Sequence, residues 1–167
     1  MPDKDQLRNS LLERVNQLYE WLDAQIKGNR DLAGLCTACG RCCDFEAFGH
    51  HLFVSSPELL YFAVKLGPEN ARHIKKGRCP YNIAGRCTVY EHRFAACRIF
   101  CCKGDPDFQS ALSESALKLL RAMCDEFEIP YRYTDLPTAL NGPARQRRCR
   151  ANTCQPAAKS GPLGLAD

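Results

Sequence analysis

The 167-residue chain has no long apolar run. A membrane span asks for about 20 consecutive apolar residues, so no membrane role is expected. The first ten residues, MPDKDQLRNS, are polar and charged, with neither an apolar segment nor a small-residue cleavage site. A secretory leader is therefore not expected, and the reading is a cytoplasmic protein. That reading has a chemical consequence, because disulfides rarely persist in a reducing compartment. The chain also lacks a G-x-G-x-x-G-type loop for an adenosyl cofactor. No acid–base pair or activated nucleophile stands out, so binding or electron carriage is expected ahead of catalysis. Repeats and low-complexity tracts are missing. The net charge of +4 is mild and no nucleic-acid-binding module signature occurs, so nucleic acid is not an expected partner.

What the chain has in excess is cysteine, 12 residues in all. Four fall in Cys36-Thr37-Ala38-Cys39-Gly40-Arg41-Cys42-Cys43. A second group comprises Cys79-Pro80, Cys87, Cys97, Cys101 and Cys102. Thiols this dense cross-link as disulfides, cycle as a dithiol device, or hold a soft metal. In the cytoplasm the regular spacing points to metal. A C-x2-C step on a tight turn sets two sulfurs on one side of the backbone, and zinc and iron–sulfur sites both use it. Here the step occurs twice in register, as Cys36, Cys39 and Cys42, like the first three donors of the ferredoxin-type run. A local fourth donor is missing, because Asp44-Phe45-Glu46 follows; Cys79-Pro80 reproduces the Cys-Pro ending from a distance.

Neighbouring side chains diverge, so Cys43 is expected to face a second metal or to join the other group. Its companions there would be Cys87, Cys97 and Cys101 or Cys102. Cys97 and Cys101 are one helical turn apart, which would put both thiols on one face. The candidate ligands are thus Cys36, Cys39, Cys42, Cys43, Cys79, Cys87, Cys97 and Cys101, enough for two four-sulfur sites or one larger cluster. Iron–sulfur is favoured over zinc by the triple register and the surplus of donors. Cys124 reads as a core thiol, and Cys149 and Cys154 as non-ligands. His50, His51 and His73 read as surface or core groups, and His92 as packing or second shell. Arg41, Arg86, Arg93 and Arg98 flank the ligands and would offset thiolate charge.

The expected fold is mainly α: a small irregular cysteine-rich, metal-centred domain with a few helices. Residues 1–30 form an amphipathic helix unit. Its helix over 5–27 has the stripe Leu7, Leu11, Val15, Leu18, Leu22 and Ile26. Residues 31–140 form the cysteine-cluster domain. Within it, Ser56 caps a helix with Leu59, Leu60, Phe62, Ala63 and Leu66 inward, and Gly67-Pro68 stops it. A weak helix is expected near Glu69–Lys76, a turn at Ala84-Gly85, and an extended Cys87–Tyr90. Asp107 caps a helix to Glu128 with the stripe Leu112, Ala116, Leu119, Leu120, Met123 and Phe127. Residues 141–167 read as a loosely ordered basic tail carrying Arg145, Arg147, Arg148 and Arg150.

The chain resembles the CxxCxxCC cysteine-cluster family (the YkgJ-like proteins, a zinc- or iron-chelating domain). The likeness covers about residues 34–102. It rests on the spacing of Cys36, Cys39, Cys42 and Cys43, on Cys79-Pro80-Tyr81, on Gly85-Arg86-Cys87-Thr88-Val89-Tyr90-Glu91-His92-Arg93, and on Cys97-Arg98. It implies metal binding by Cys36, Cys39, Cys42, Cys43, Cys79, Cys87 and Cys97. One departure is Phe94, where the family commonly has Arg-Pro rather than Arg93-Phe94. Some relatives are larger flagellin lysine methylases with an iron–sulfur centre, which favours iron here without transferring the methylase activity. What the whole reading implies is an iron–sulfur cluster or zinc, in electron transfer or in support of a partner enzyme. Its rivals are a structural zinc module that engages a protein partner and a cluster-dependent enzyme.

Overall fold

A computed structural model describes residues 3–74 and 77–142, and the chain is mainly α. Helix α1 (Lys4–Gly28) opens it, followed by the single turn α2 (Arg30–Ala33). The apolar stripe of α1 buries Leu11, Val15, Leu18, Tyr19 and Leu22. Leu7, at the stripe's outer end, is exposed instead. A 3-10 turn over Arg41–Cys43 carries the doubled cysteine and leads to α3 (Phe45–Phe48). Strand β1 (Phe53–Ser55) then runs directly into α4 (Ser56–Leu66).

The cap of α4 is Ser55, one residue earlier than expected. The reason is Glu58 at the third helical position: Ser55 and Glu58 form a reciprocal capping box, which Ser56 has no partner to form. Similarly, Asp105 rather than Asp107 caps α6 (Pro106–Glu126), accepting from the Phe108 N–H. Pro106 lacks an N–H and suits the first helical position, so the residue before it becomes the cap. In α4, Pro57, Glu58, Tyr61 and Phe62 are buried, while Ala63 faces out. In α6, Leu119 is likewise exposed, and Cys124 takes the inward place beside Leu120 and Met123.

The helix expected near Glu69–Lys76 is not there. Only a 3-10 turn, Pro68–Asn70, follows α4. The Arg72 N–H donates to the Tyr81 hydroxyl and the Ile74 N–H to Asn141 Oδ1, so side chains capture the donors a helix would need. Strands β2 (Asn82–Ile83) and β3 (Arg86–Cys87) pair across Ala84-Gly85, whose φ values of 51° and 78° make the expected tight turn. The extended stretch is shorter than expected, since Tyr90–His92 coils into a 3-10 turn. Helix α5 (Ala95–Ile99) follows, and β4 (Tyr133–Asp135) leads into α7 (Leu136–Asn141). β4 pairs antiparallel with β1, Val54 opposite Thr134.

Two apolar clusters hold these elements. Leu11, Val15, Leu18, Leu22, Ile99, Leu112, Leu120 and Met123 join α1, α5 and α6. The second, of Leu52, Val54, Phe62, Tyr81, Phe94 and Leu136, lies under the cysteine loops. Helices α4 and α5 are shared. Tyr61 belongs to the first cluster and its neighbour Phe62 to the second; Ala95 and Ile99 face the first, while Ala96 and Cys97 pack on the second. Consecutive helical residues point about 100° apart, so one short helix bridges both clusters. The opening helix is therefore built into the core, packed on α4, α5 and α6. The expected basic tail, with Cys149 and Cys154, lies outside the described residues apart from Asn141 and Gly142.

Candidate metal centre

The loop that carries Cys36–Cys43 is pinned at both ends. Gly34 has φ +75°, and a Cβ there would lie 2.8 Å from the Lys103 carbonyl carbon. The Asp105 N–H donates to the Leu32 carbonyl at 2.7 Å, tying the same strands of chain together. Further on, Gly40 has φ +70°, and a Cβ there would sit 2.5 Å from Asn82 Nδ2 and 2.7 Å from the Gly85 oxygen. Only glycine lets the first cysteine loop lie against the β2–β3 turn this closely. The Cys79 N–H donates to the Cys43 carbonyl at 2.7 Å, so the two cysteine groups are stitched by backbone.

The outcome is one cavity of about 250 Å³. All eight candidate ligands line it, and so does Cys102. Among these lining residues Cys43, Cys79, Cys87 and Cys97 are a tetrad in charge, each acting electrostatically on the other three. Burial pushes the Cys79 thiol up to about 11, and neighbouring Cys43 and Cys87 add to it. Burial likewise raises Cys87 and, further, Cys97. Burial and mutual repulsion oppose ionising all four together, and a bound cation would offset both. Cys42 and Cys43 hydrogen bond to each other through their side chains, which lowers Cys43 and raises Cys42. Cys43 therefore meets its neighbour Cys42 while also acting on Cys79, Cys87 and Cys97 of the other group. Cys36 also acts on Cys42, linking the first group to the tetrad.

The outer donors differ in kind. Cys36, Cys39 and Cys102 are exposed, whereas Cys101 is buried. Cys39 is lowered by the Arg41 backbone N–H and by the Thr37 side chain. Helix α5 stops at Ile99, so Cys101 does not share a helical face with Cys97 as expected. It reaches the cavity by another route, its backbone clamped at N–H and carbonyl by the Gln109 amide (3.3 and 2.8 Å). Cys124 is a buried core thiol on α6 and lies away from the cavity lining.

Two polar side chains that sequence reasoning passed over organise the site. Asn82 Nδ2 donates to the Gly40 carbonyl at 3.3 Å, and its side chain also hydrogen bonds to Cys43, lowering that thiol. Both partners are acceptors, which fixes the amide orientation and leaves Asn82 Oδ1 buried without a partner. The only sequence sign was an Asn placed between Cys79-Pro80 and a turn. His50, read as a surface or core group, donates from Nε2 to the Cys42 carbonyl at 2.6 Å and stacks on Phe100 with centroids 5.1 Å apart. His51 and His73 are exposed, and His92 meets Tyr61 edge-on while its Nδ1 is buried without a partner.

Of the flanking arginines, Arg41, Arg86 and Arg93 line the cavity, and Arg93 offsets charge on Cys87 and Cys97. Arg98 does not. Its side chain is only 6% exposed, and the guanidinium pairs with Asp23 at 2.6 Å, donates to the Glu91 and Arg93 carbonyls, and lies over the Tyr19 ring. It braces α1 against α5.

Behind the tetrad stands Glu58. It is 2% exposed and accepts from the Ser55 N–H (2.9 Å), Ser55 Oγ (2.7 Å), the Ala95 N–H (2.7 Å) and the Tyr19 hydroxyl (3.4 Å). Since Ala95 begins α5, this one carboxylate sets the helix that presents Cys97. Phe94 has φ −64°, the value a proline ring imposes, and Arg93 (φ −58°, ψ 146°) has the extended backbone that a proline demands before it. A proline would thus fit this backbone, and the Phe94 ring packs on Phe62 at 4.7 Å between centroids.

Chemically, the donor set is sulfur, which suits thiophilic metals. Among the described residues no three His, Cys, Asp or Glu side chains are drawn together as a formed single-ion site. The thiols surround a space rather than a point. Compared with known protein families, curated proteins and solved structures, the chain matches none.

Proposed function

We infer that this is a cysteine-ligated metal protein of a reducing compartment, the cytoplasm, whose centre is an iron–sulfur cluster that carries electrons or supports a partner enzyme. The observation that carries the reading is the meeting of two cysteine groups, remote in sequence, around one cavity with a mutually interacting tetrad at its base. Metal coordination deprotonates thiols and removes the penalty of gathering them. A single zinc asks for four donors about 2.3 Å from one point; a ring of donors around a cavity suits a polynuclear centre better. The resemblance of residues 34–102 to the CxxCxxCC family points the same way.

In this reading Cys43, Cys79, Cys87 and Cys97 are the principal ligands, and Cys36, Cys39, Cys42 and Cys101 supply the surplus. A bound cluster would supply reversible one-electron chemistry. The chain's own residues orient and tune: Asn82 donates toward Cys43, Arg93 offsets thiolate charge, and the Phe45, Phe48 and Phe100 side of the cavity restricts water.

The test is anaerobic purification of the full chain, then a visible spectrum with elemental analysis. Iron with acid-labile sulfide and a brown, oxygen-sensitive colour is expected. Cys43→Ser, Cys79→Ser and Cys97→Ser should each lose the metal, while Cys124→Ser keeps it. A colourless protein with one stoichiometric zinc would establish the structural zinc module instead. Normal metal content in all three ligand variants refutes the tetrad.

A further inference from the structure

We propose that the mouth of the thiol cavity is a docking surface for the acidic face of a protein partner. Its first support is a separation of charge. Residues 1–142 hold 18 Lys and Arg against 18 Asp and Glu, so this part of the chain is neutral overall. The cavity lining is not neutral. It contains Arg41, Arg86, Arg93 and Lys103 and, among the described residues, no Asp or Glu. With Arg93 turned to the thiols, the exposed Arg41, Arg86 and Lys103 are the cations left to give the opening a positive face.

The rim cations are also free to act outward. Arg41, Arg86 and Lys103 are exposed, and none of them has an ion pair among the described residues. The opening also bears apolar groups a partner would cover. Leu35 is 71% exposed, and Tyr90 and Phe48, which also line the cavity, are exposed as well. An apolar centre with a charged rim is the anatomy of a protein interface. The thiols of Cys36, Cys39 and Cys102 lie exposed at the same mouth, so a docked partner would stand against the outer donors. The chain's own segment with Arg145, Arg147, Arg148 and Arg150 carries the same sign as the rim, so charge complementarity does not select it as the occupant. A nucleic acid would match the charge but has no use for Leu35. What the partner does there, exchange of electrons with the cluster, rests on the reading above; the surface itself does not.

The experiment is titration calorimetry on the full chain, anaerobic, at 50 and 200 mM salt, with metal content measured on every sample. The probes are flavodoxin (a small acidic electron carrier), cytochrome c (a basic one) and a 20-nucleotide single-stranded RNA. Flavodoxin should bind more tightly than cytochrome c, and at least 10-fold more weakly at the higher salt. Arg41→Glu/Arg86→Glu/Lys103→Glu should weaken flavodoxin binding at least 10-fold with unchanged helical content. Leu35→Ser should weaken it about 3-fold at either salt. Substituting Gln for Arg145, Arg147, Arg148 and Arg150 should leave it within 2-fold.

The proposal is overturned if the rim variant binds flavodoxin as the parent does, if the Gln-substituted tail loses the binding instead, if cytochrome c is preferred, or if RNA binds more tightly than flavodoxin. A sample without metal that still binds flavodoxin at the rim keeps the surface and removes the cluster. A metal-loaded sample with no charge-selective binding does the opposite.

Discussion

Replacing Glu58 by alanine probes how the scaffold holds the site. Its carboxylate is the shared acceptor for two buried backbone N–H groups, at Ser55 and Ala95, and for the Ser55 and Tyr19 hydroxyls. The hydroxyls can rotate toward other acceptors; the N–H groups cannot. A buried donor stripped of its partner costs about 1–3 kcal/mol, so two give about 4 kcal/mol. Relief of the buried charge offsets about 1 kcal/mol of this, leaving about 3 kcal/mol for Glu58→Ala. Glu58→Gln keeps the volume but turns an NH2 toward half the donors, and should cost about 1.5 kcal/mol. With a urea dependence of about 2 kcal/mol per molar, the alanine variant should unfold about 1.5 M earlier. The single tryptophan, Trp21 on α1, packs against the first cluster and reports the transition by fluorescence. Because Ala95 begins α5, the alanine variant should also release metal faster to a chelator. Unfolding of Glu58→Ala within 0.3 M of the parent would refute the argument that this carboxylate joins the two clusters.

Glu58 also makes a pH prediction. Burial raises its pKa above the ordinary 4.5, so the folded state holds its proton more tightly than the unfolded one. Its contribution is complete below about 4.5 and is lost as pH rises through the raised folded value. The parent's advantage over Glu58→Gln in urea unfolding should therefore shrink from pH 4 to pH 7; an advantage that grows would contradict the burial. Gly40→Ala, which drives a Cβ to 2.5 Å from Asn82 Nδ2 at φ +70°, should cost about 2–3 kcal/mol and lower metal retention, measured by urea unfolding and elemental analysis. Asn82→Leu removes the donor to Cys43 and the orphaned Oδ1 together; chelator competition should show metal held about 10-fold more weakly with little change in urea midpoint. Phe94→Pro should keep the turn at Arg93 and the metal while losing about 2 kcal/mol of ring packing, read by thermal unfolding; loss of metal would show that the ring, not the turn, is what the site needs.

Much of the helical frame was legible because α1, α4 and α6 repeat apolar residues at helical spacing. The caps lie one or two residues earlier than the sequence suggests, because each helix offers two polar candidates, Ser55 and Ser56 or Asp105 and Asp107, and Glu58 and Pro106 decide between them. Glu58 itself was invisible as a core group, since a carboxylate in an amphipathic pattern reads as exposed until four donors surround it. The pairing of β1 with β4 joins Val54 to Thr134, far apart in the sequence, and no local pattern encodes that. In the site, the cysteine spacing marked the residues that line the cavity, but not which of them face one another. Cys79 was matched with the first three cysteines because of its proline. A backbone bond ties Cys79 to Cys43 of that group, and its thiol also acts on Cys87 and Cys97.

The arrangement also shows why a fold of this size can gather so many thiols without collapsing on them. Cys79 and Cys97 lean on the second apolar cluster, yet the helices that frame it are anchored in the first, through Tyr61, Ala95 and Ile99. Stability is thus drawn largely from α1 and α6, away from the sulfur atoms, while Gly40, Asn82 and the Cys43–Cys79 backbone bond hold the two loops at a set separation. A helical frame anchored away from the sulfur atoms can stay folded when the centre is lost, even where the loops around the cavity do not. Metal removal should therefore leave the α1–α6 cluster folded and disorder mainly residues 35–43 and 79–92. Hydrogen exchange on the chelated protein tests this: protection should persist at Val15, Leu18 and Leu120 and fall at Cys43 and Thr88. Uniform loss of protection across both clusters would mean that the metal supports the whole molecule and that the helical frame does not stand by itself.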